Sequence, residues 1–176
     1  GIFVSMSFQL QFVRTVFRPD SGWARAFTTI VTLTIATGLF VGTYLGDEMG
    51  FASGRMWIWL ELGGAVTTLL WCALEAAIHY LKMRRRVPLG LADPVVANRV
   101  LLWSCYGGAN AVSQATYMVA IAIAGAEGIY PYVLDGIMST ATSIGSILIW
   151  LAFFPPLAYL RFLSRKYESE ATSLAP

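Results

Sequence analysis

The charges of this chain fall almost entirely in the breaks between long apolar runs, and that arrangement constrains its fold more than any other feature. An α-helix needs about 20 predominantly apolar residues to cross the hydrocarbon core of a bilayer. Four runs of that length are legible, at roughly 26–46, 56–83, 95–126 and 131–163. Only 12% of the 176 residues are charged, about half the roughly 25% of an ordinary soluble domain. The predicted class is all-α: a polytopic transmembrane helical bundle of four spans, preceded by an N-terminal amphipathic or partial helix.

Residues 1–24 form that leading segment. Ile2, Phe3, Met6, Leu10, Val13 and Phe17 recur at helical spacing, with Gln9, Gln11 and Arg14 polar between them. Two readings fit: a helix lying in the interface, or the cytoplasmic end of a spanning helix whose start precedes Gly1. Pro19-Asp20-Ser21-Gly22 is a turn in both. The bundle proper is expected over 25–163, with a cytoplasmic connection at 84–99, and residues 164–176 are a polar cytoplasmic tail.

The connection is the densest punctuation in the chain. Arg84, Arg85 and Arg86 end one span, Pro88-Leu89-Gly90 reverses the chain, and Asp93 caps the next helix with Pro94 at its first position. Cationic loops stay cytoplasmic. With four spans, eleven of the twelve basic residues fall on one side and only Arg55 on the other. The leading segment, connection and tail therefore face the cytoplasm. Arg84, Arg85, Arg86 and Arg99 are also expected to meet anionic headgroups.

Two kinds of residue inside the spans stand out. Gly38, Gly42 and Gly46 lie four apart, a doubled GxxxG face suited to close helix packing. Polar stripes mark the other three spans. Ionisable groups in a bilayer cost several kcal/mol unless paired, which makes them candidate sites. In the second span Glu61 and His79 fall in line at 100° per residue, with Thr68, Cys72 and Glu75 near the same line. Glu75 and His79, at i and i+4, are placed to share a proton.

The third span carries Tyr106, Asn110, Ser113 and Tyr117 on one line with Gln114 beside it. The fourth carries Asp135, Ser139, Thr142 and Ser146. Turned toward one another, the stripes make an outer tier (Glu61, Gln114, Tyr117, Asp135) and an inner tier (Glu75, His79, Tyr106, Asn110). The same stripes also serve simply to join helices. Pro155-Pro156 removes two backbone donors and is expected to kink the last span.

Several chemistries are excluded or unsupported. No HExxH, paired CxxC, P-loop or Rossmann fingerprint occurs. Cys72 and Cys105 sit in apolar runs, where cysteine acts as a small apolar residue. His79 is the only histidine, so bis-histidine haem within the chain is excluded. Its use as a single axial ligand to haem or pigment has no other support, and neither cofactor nor metal is expected. The basic cluster lacks interleaved aromatics and adjoins a span, so nucleic acid is not an expected partner.

The stretches VFRPDSGWAR (16–25) and RRRVPLGLADPVVANRVLLW (84–103) resemble a pattern of bacterial inner-membrane proteins with seven helices. That resemblance implies an outside N-terminus and an inside C-terminus, with residues 1–18 ending a third helix and the present spans as helices four to seven. It implies no catalytic residues. The expected function is non-enzymatic: an accessory or scaffold subunit of a membrane complex, or a membrane-embedded sensor. Its expected partners are lipids and other subunits or further helices. One alternative is a proton-coupled small-solute transporter using Glu61, Glu75, His79 and Asp135. Another is a pigment- or quinone-associated photosynthetic or respiratory accessory subunit. A dry, tightly packed interior would favour the scaffold and a water-filled cavity the transporter.

Overall fold

The computed structural model describes residues 2–44, 51–127 and 132–163, and those residues are helical apart from short turns. Helix α1 spans Ile2–Phe17, α2 Gly22–Tyr44, α3 Phe51–Arg86, α4 Pro94–Glu127 and α5 Tyr132–Phe153. A single 3-10 turn, Val87–Leu89, joins α3 to α4. Residues 157–163 are helical again after a break. Gly46 and the tail at 164–176 lie outside the described residues.

Each boundary has a local cause. Pro19 disfavours helical geometry in the residue before it, so α1 ends at Phe17; Ser21 then donates to the Arg18 carbonyl and turns the chain. Gly90 takes the left-handed conformation (φ 68°) that closes the turn after α3, a conformation costly for residues with a Cβ. Its N–H donates to the Val87 carbonyl, and that of Leu91 to the Arg86 carbonyl. Asp93 caps α4 as the sequence predicts: its Oδ1 accepts from the amides of Val95 at 2.7 Å and Val96 at 3.4 Å. Pro155 and Pro156 fall in the break after α5.

The helices pack in chain order, α2 on α3, α3 on α4 and α4 on α5, with α1 against both α2 and α3. Leu10 and Val13 of α1 share a core with Ala24, Val31 and Ile35 of α2 and with Trp71 and Cys72 of α3. The buried face of α2 (Ala24, Thr28, Val31, Ile35, Gly38) steps alternately by four and three residues, the seam of a helix packed nearly parallel to its neighbour. Gly42 is exposed. Phe17 at the end of α1 meets His79, about two turns along α3 from Cys72. Helix α1 therefore runs alongside α3 in the same direction. At 16 residues it is about 24 Å long.

Helices α2, α3 and α5 are long and apolar enough to cross a membrane. Helix α4 has the length, 34 residues, with Tyr106, Asn110, Ser113, Gln114 and Tyr117 interrupting its apolar run, and among the described residues it is absent from that set. It thus carries its polar residues between two neighbours, α3 and α5. Helix α5 is the opposite: only 11% of its most apolar stretch is buried.

Candidate functional site

The most elaborate polar arrangement lies where α1, α2 and α3 meet. Glu75 projects from α3 into the bundle and is 4% exposed. Its two carboxylate oxygens each lie 3.0 Å from Nε of Arg18, the residue that follows α1. The indole N–H of Trp71, one turn back on α3, donates to Oε1 of Glu75 at 3.3 Å. The Arg18 guanidinium sits 5.7 Å from the centre of the Trp23 ring, where the ring's negative face adds a cation–π attraction. Trp71 in turn packs edge-on against Phe27 at 4.8 Å and lies 6.3 Å from Trp23.

This geometry follows from local sequence. Pro19 stops α1 so that Arg18 sits at its exit. The i, i+4 spacing of Trp71 and Glu75 places both on one side of α3. A buried carboxylate requires a cation and hydrogen-bond donors, and here a guanidinium and an indole supply them. The pairing that i, i+4 spacing suggested, Glu75 with His79, is not the one formed. The His79 ring instead packs 4.6 Å from that of Phe17, and its Nδ1 is buried without a hydrogen-bond partner.

The remaining polar residues act at seams. Ser104 of α4 donates to the Ala73 carbonyl of α3 at 2.9 Å. At Gly107 the two backbones come so close that a Cβ would lie 2.9 Å from both the Leu69 carbonyl oxygen and the Ala73 nitrogen. Between α4 and α5, the Ser113 and Thr142 hydroxyls bond at 2.9 Å and Ser113 reaches the Met138 carbonyl. The Asn110 amide donates to the Tyr106 carbonyl and lies in the space left by the missing side chain of Gly145. Asn98 donates to the Tyr159 hydroxyl at 2.9 Å, tying the segment after the proline break to the start of α4.

The other predicted site residues are scattered by this packing. Glu61, Gln114 and Asp135 are half-buried, Tyr117 is 39% exposed, and Arg84, Arg85, Arg86 and Arg99 are exposed. The α5 stripe turns inward only in part: Thr142 reaches Ser113, whereas Ser139, Thr140, Ser143 and Ser146 are exposed without such a contact to α4. The buried residues of α5 are Ala141, Gly145 and Ala152. Open grooves run along the faces of the bundle. One, of about 320 Å³, is walled by rings including Phe8, Phe12, Trp103 and Phe153. Another, of about 600 Å³, follows the hydroxyls of α5. Among the described residues, no three His, Cys, Asp or Glu converge as metal ligands.

Arg18, Trp71 and Trp23 were not singled out as site residues by the sequence. The available signal was charge balance: an acid near the basic end of the bundle needs a cation, and Arg14 and Arg18 are placed to supply it. Gly107 and Gly145 carried no comparable signal, because a glycine at a helix crossing looks like any other until its neighbour is known. No family model, curated protein or solved structure matches the chain.

Proposed function

We propose that the protein is a non-enzymatic integral membrane protein whose bundle is a scaffold, either an accessory subunit of a membrane complex or a membrane-embedded sensor. In this reading α2 to α5 are four spans of a bacterial inner membrane. Helix α4 crosses with its polar face turned to α3 and α5. The exit of α1 at Phe17 and the tail face the cytoplasm, and α1 enters the bundle alongside α3 rather than lying on the membrane.

The observation that carries it is the use made of the interior polar groups. Glu75 is closed off by Arg18 and Trp71. Ser104 and Ser113 are consumed in helix joints, and Asn110 bonds the Tyr106 carbonyl of its own helix while packing at Gly145. Groups held this way fix helix positions; a relay needs groups that exchange partners along an open path. The sensor version draws further on His79, a titratable ring held against Phe17 with a buried nitrogen unpaired.

The test has two arms. Proton and solute flux in proteoliposomes should be the same for the wild type, Glu75→Gln and His79→Ala; a flux abolished by either variant would establish the carrier instead. Gentle solubilisation of native membranes should recover the chain with a stoichiometric partner, and a chain always isolated alone and monomeric would sink the subunit version.

A further inference from the structure

We infer that the tip joining α3 to α4 is a docking surface for an acidic, partly apolar segment of a soluble protein partner. The inference rests on the membrane placement proposed above and adds to it a surface and a kind of ligand. The starting observation is that α3 and α4 extend past α2 and past the end of α5, accompanied beyond the proline break by the segment 157–163, whose Tyr159 meets Asn98. Helices α2 and α5 have 23 and 22 residues, against 36 and 34 for α3 and α4.

Contacts between side chains locate the excess at one end. Arg18, at the turn between α1 and α2, meets Glu75. Phe153, at the end of α5, packs 5.8 Å from Trp103, and Ser104 joins the level of Trp103 to Ala73. Trp23, Trp71, Trp103 and Phe153 thus form one tier, the level at which aromatic residues sit at a membrane interface. Beyond Glu75, α3 continues through eleven more residues to Arg86, about 16 Å at 1.5 Å per residue. The headgroup layer adds only about 5–8 Å on each side of the hydrocarbon core. The tip therefore stands clear of the headgroups.

What it presents there is both apolar and cationic. Leu89 and Leu91 are 70% and 72% exposed, and Lys82, Arg84, Arg85 and Arg86 are exposed around them. Asp93 is the acid in this stretch, and its Oδ1 is engaged by the amides that it caps. The surface is preshaped: the 3-10 turn, the left-handed Gly90 and the Leu91-to-Arg86 hydrogen bond close it on one side, and the Asp93 cap fixes the other. An apolar patch rimmed by charge marks an interaction site, and arginine forks take carboxylates two oxygens at a time. The complementary ligand is a segment with leucine-like side chains flanked by Asp or Glu. Anionic lipid shares the charge, but Leu89 and Leu91 lie in the turn past the end of α3, farther from the aromatic tier than the arginines that precede them.

The test uses the full chain in nanodiscs, with Leu91→Cys labelled by an environment-sensitive dye in a Cys72→Ala, Cys105→Ala background. The probe is a synthetic amphipathic peptide with glutamates on one face and leucines on the other. In neutral and in anionic discs alike the dye should report water. Adding the peptide should shift its emission to the blue saturably, with affinity falling by at least about tenfold, some 1.4 kcal/mol, when Arg84, Arg85 and Arg86 become Gln. A blue shift in anionic discs without peptide would assign the tip to lipid. No response to peptide, or one unchanged by the Gln variant, would also overturn the proposal. The same cysteine separates the two failures: labelling by an impermeant maleimide from the cytoplasmic side confirms the placement even where the peptide does not bind.

Discussion

The Glu75 carboxylate is 4% exposed, with Arg18 and Trp71 in place of the water it has lost, so its partners are the first place to perturb. Removing Arg18 strands the carboxylate, whereas Glu75→Gln removes the charge together with the demand for a cation. Breaking a fully buried pair costs about 3–5 kcal/mol. Arg18 is 36% exposed, and solvent screening lowers the expectation to about 1–3 kcal/mol. Arg18→Ala should therefore destabilise more than Glu75→Gln, and the double variant should recover part of the loss. Thermal unfolding followed by tryptophan fluorescence in mild micelles reads all three.

Glycines give a second ordered set at this scale. Ala at Gly107 would meet backbone atoms of α3, which cannot swing aside, and should cost about 1–3 kcal/mol as overpacking does. Ala at Gly145 would meet the Asn110 side chain, which has other rotamers, and should cost less. Ala at Gly63 or Gly108 meets nothing within 4 Å and should be neutral or stabilising by about 0.5–1 kcal/mol through helix propensity. The same unfolding assay would refute this ordering if Gly107→Ala proved as harmless as Gly108→Ala.

At the scale of the element, periodicity identifies a polar face without saying where it points. The hydroxyls of α5 repeat as regularly as those of α4, yet apart from Thr142, which meets Ser113, they face outward. A serine or threonine can satisfy itself by bonding to its own helix, as Ser146 does with the Thr142 carbonyl at 2.9 Å, so such a face does not need the interior. Ser104 instead bonds the Ala73 carbonyl of the neighbouring helix, and Asn110, though bonded to its own helix, faces inward at Gly145. The stops were easier to read. Pro19, Gly90, Asp93-Pro94 and Pro155-Pro156 act through their own backbone chemistry, and the structure breaks or starts its helices there. The Arg18–Glu75 pair was hidden because it spans 57 positions, and only the docking of α1 brings its two halves together.

The proline break has a consequence of its own. It frees residues 157–163 from the axis of α5 and lets Tyr159 reach Asn98. Asn98→Ala and Tyr159→Phe should each cost about 0.5–1.5 kcal/mol, and their double variant should cost no more than the worse single. Replacing Pro155 and Pro156 with Ala removes the obstacle to a continuous α5. In that background the coupling between Asn98 and Tyr159 should vanish from the double-mutant cycle, and a coupling that persists would show that the break is not what positions the tyrosine.

For the whole molecule the deciding quantity is the parity of the spans between the α3–α4 tip and the segment after α5. Among the described residues helices α3 and α5 qualify by apolar length and α4 does not; hydropathy averages over a helix and discards direction. Polar residues of α4 meet helices on both sides, Ser104 on α3 and Ser113 on α5, so its cost in lipid is smaller than its composition implies. If α4 crosses, Leu91 and Leu157 lie on the same side; if only α5 crosses between them, they lie on opposite sides. Both residues are exposed, at 72% each, and accept a single cysteine in a chain with Cys72 and Cys105 replaced by Ala. Labelling with a membrane-impermeant maleimide should modify both from the same face of sealed vesicles and neither from the other. Opposite-sided labelling would remove α4 from the set of spans and place the tail across the membrane from the tip.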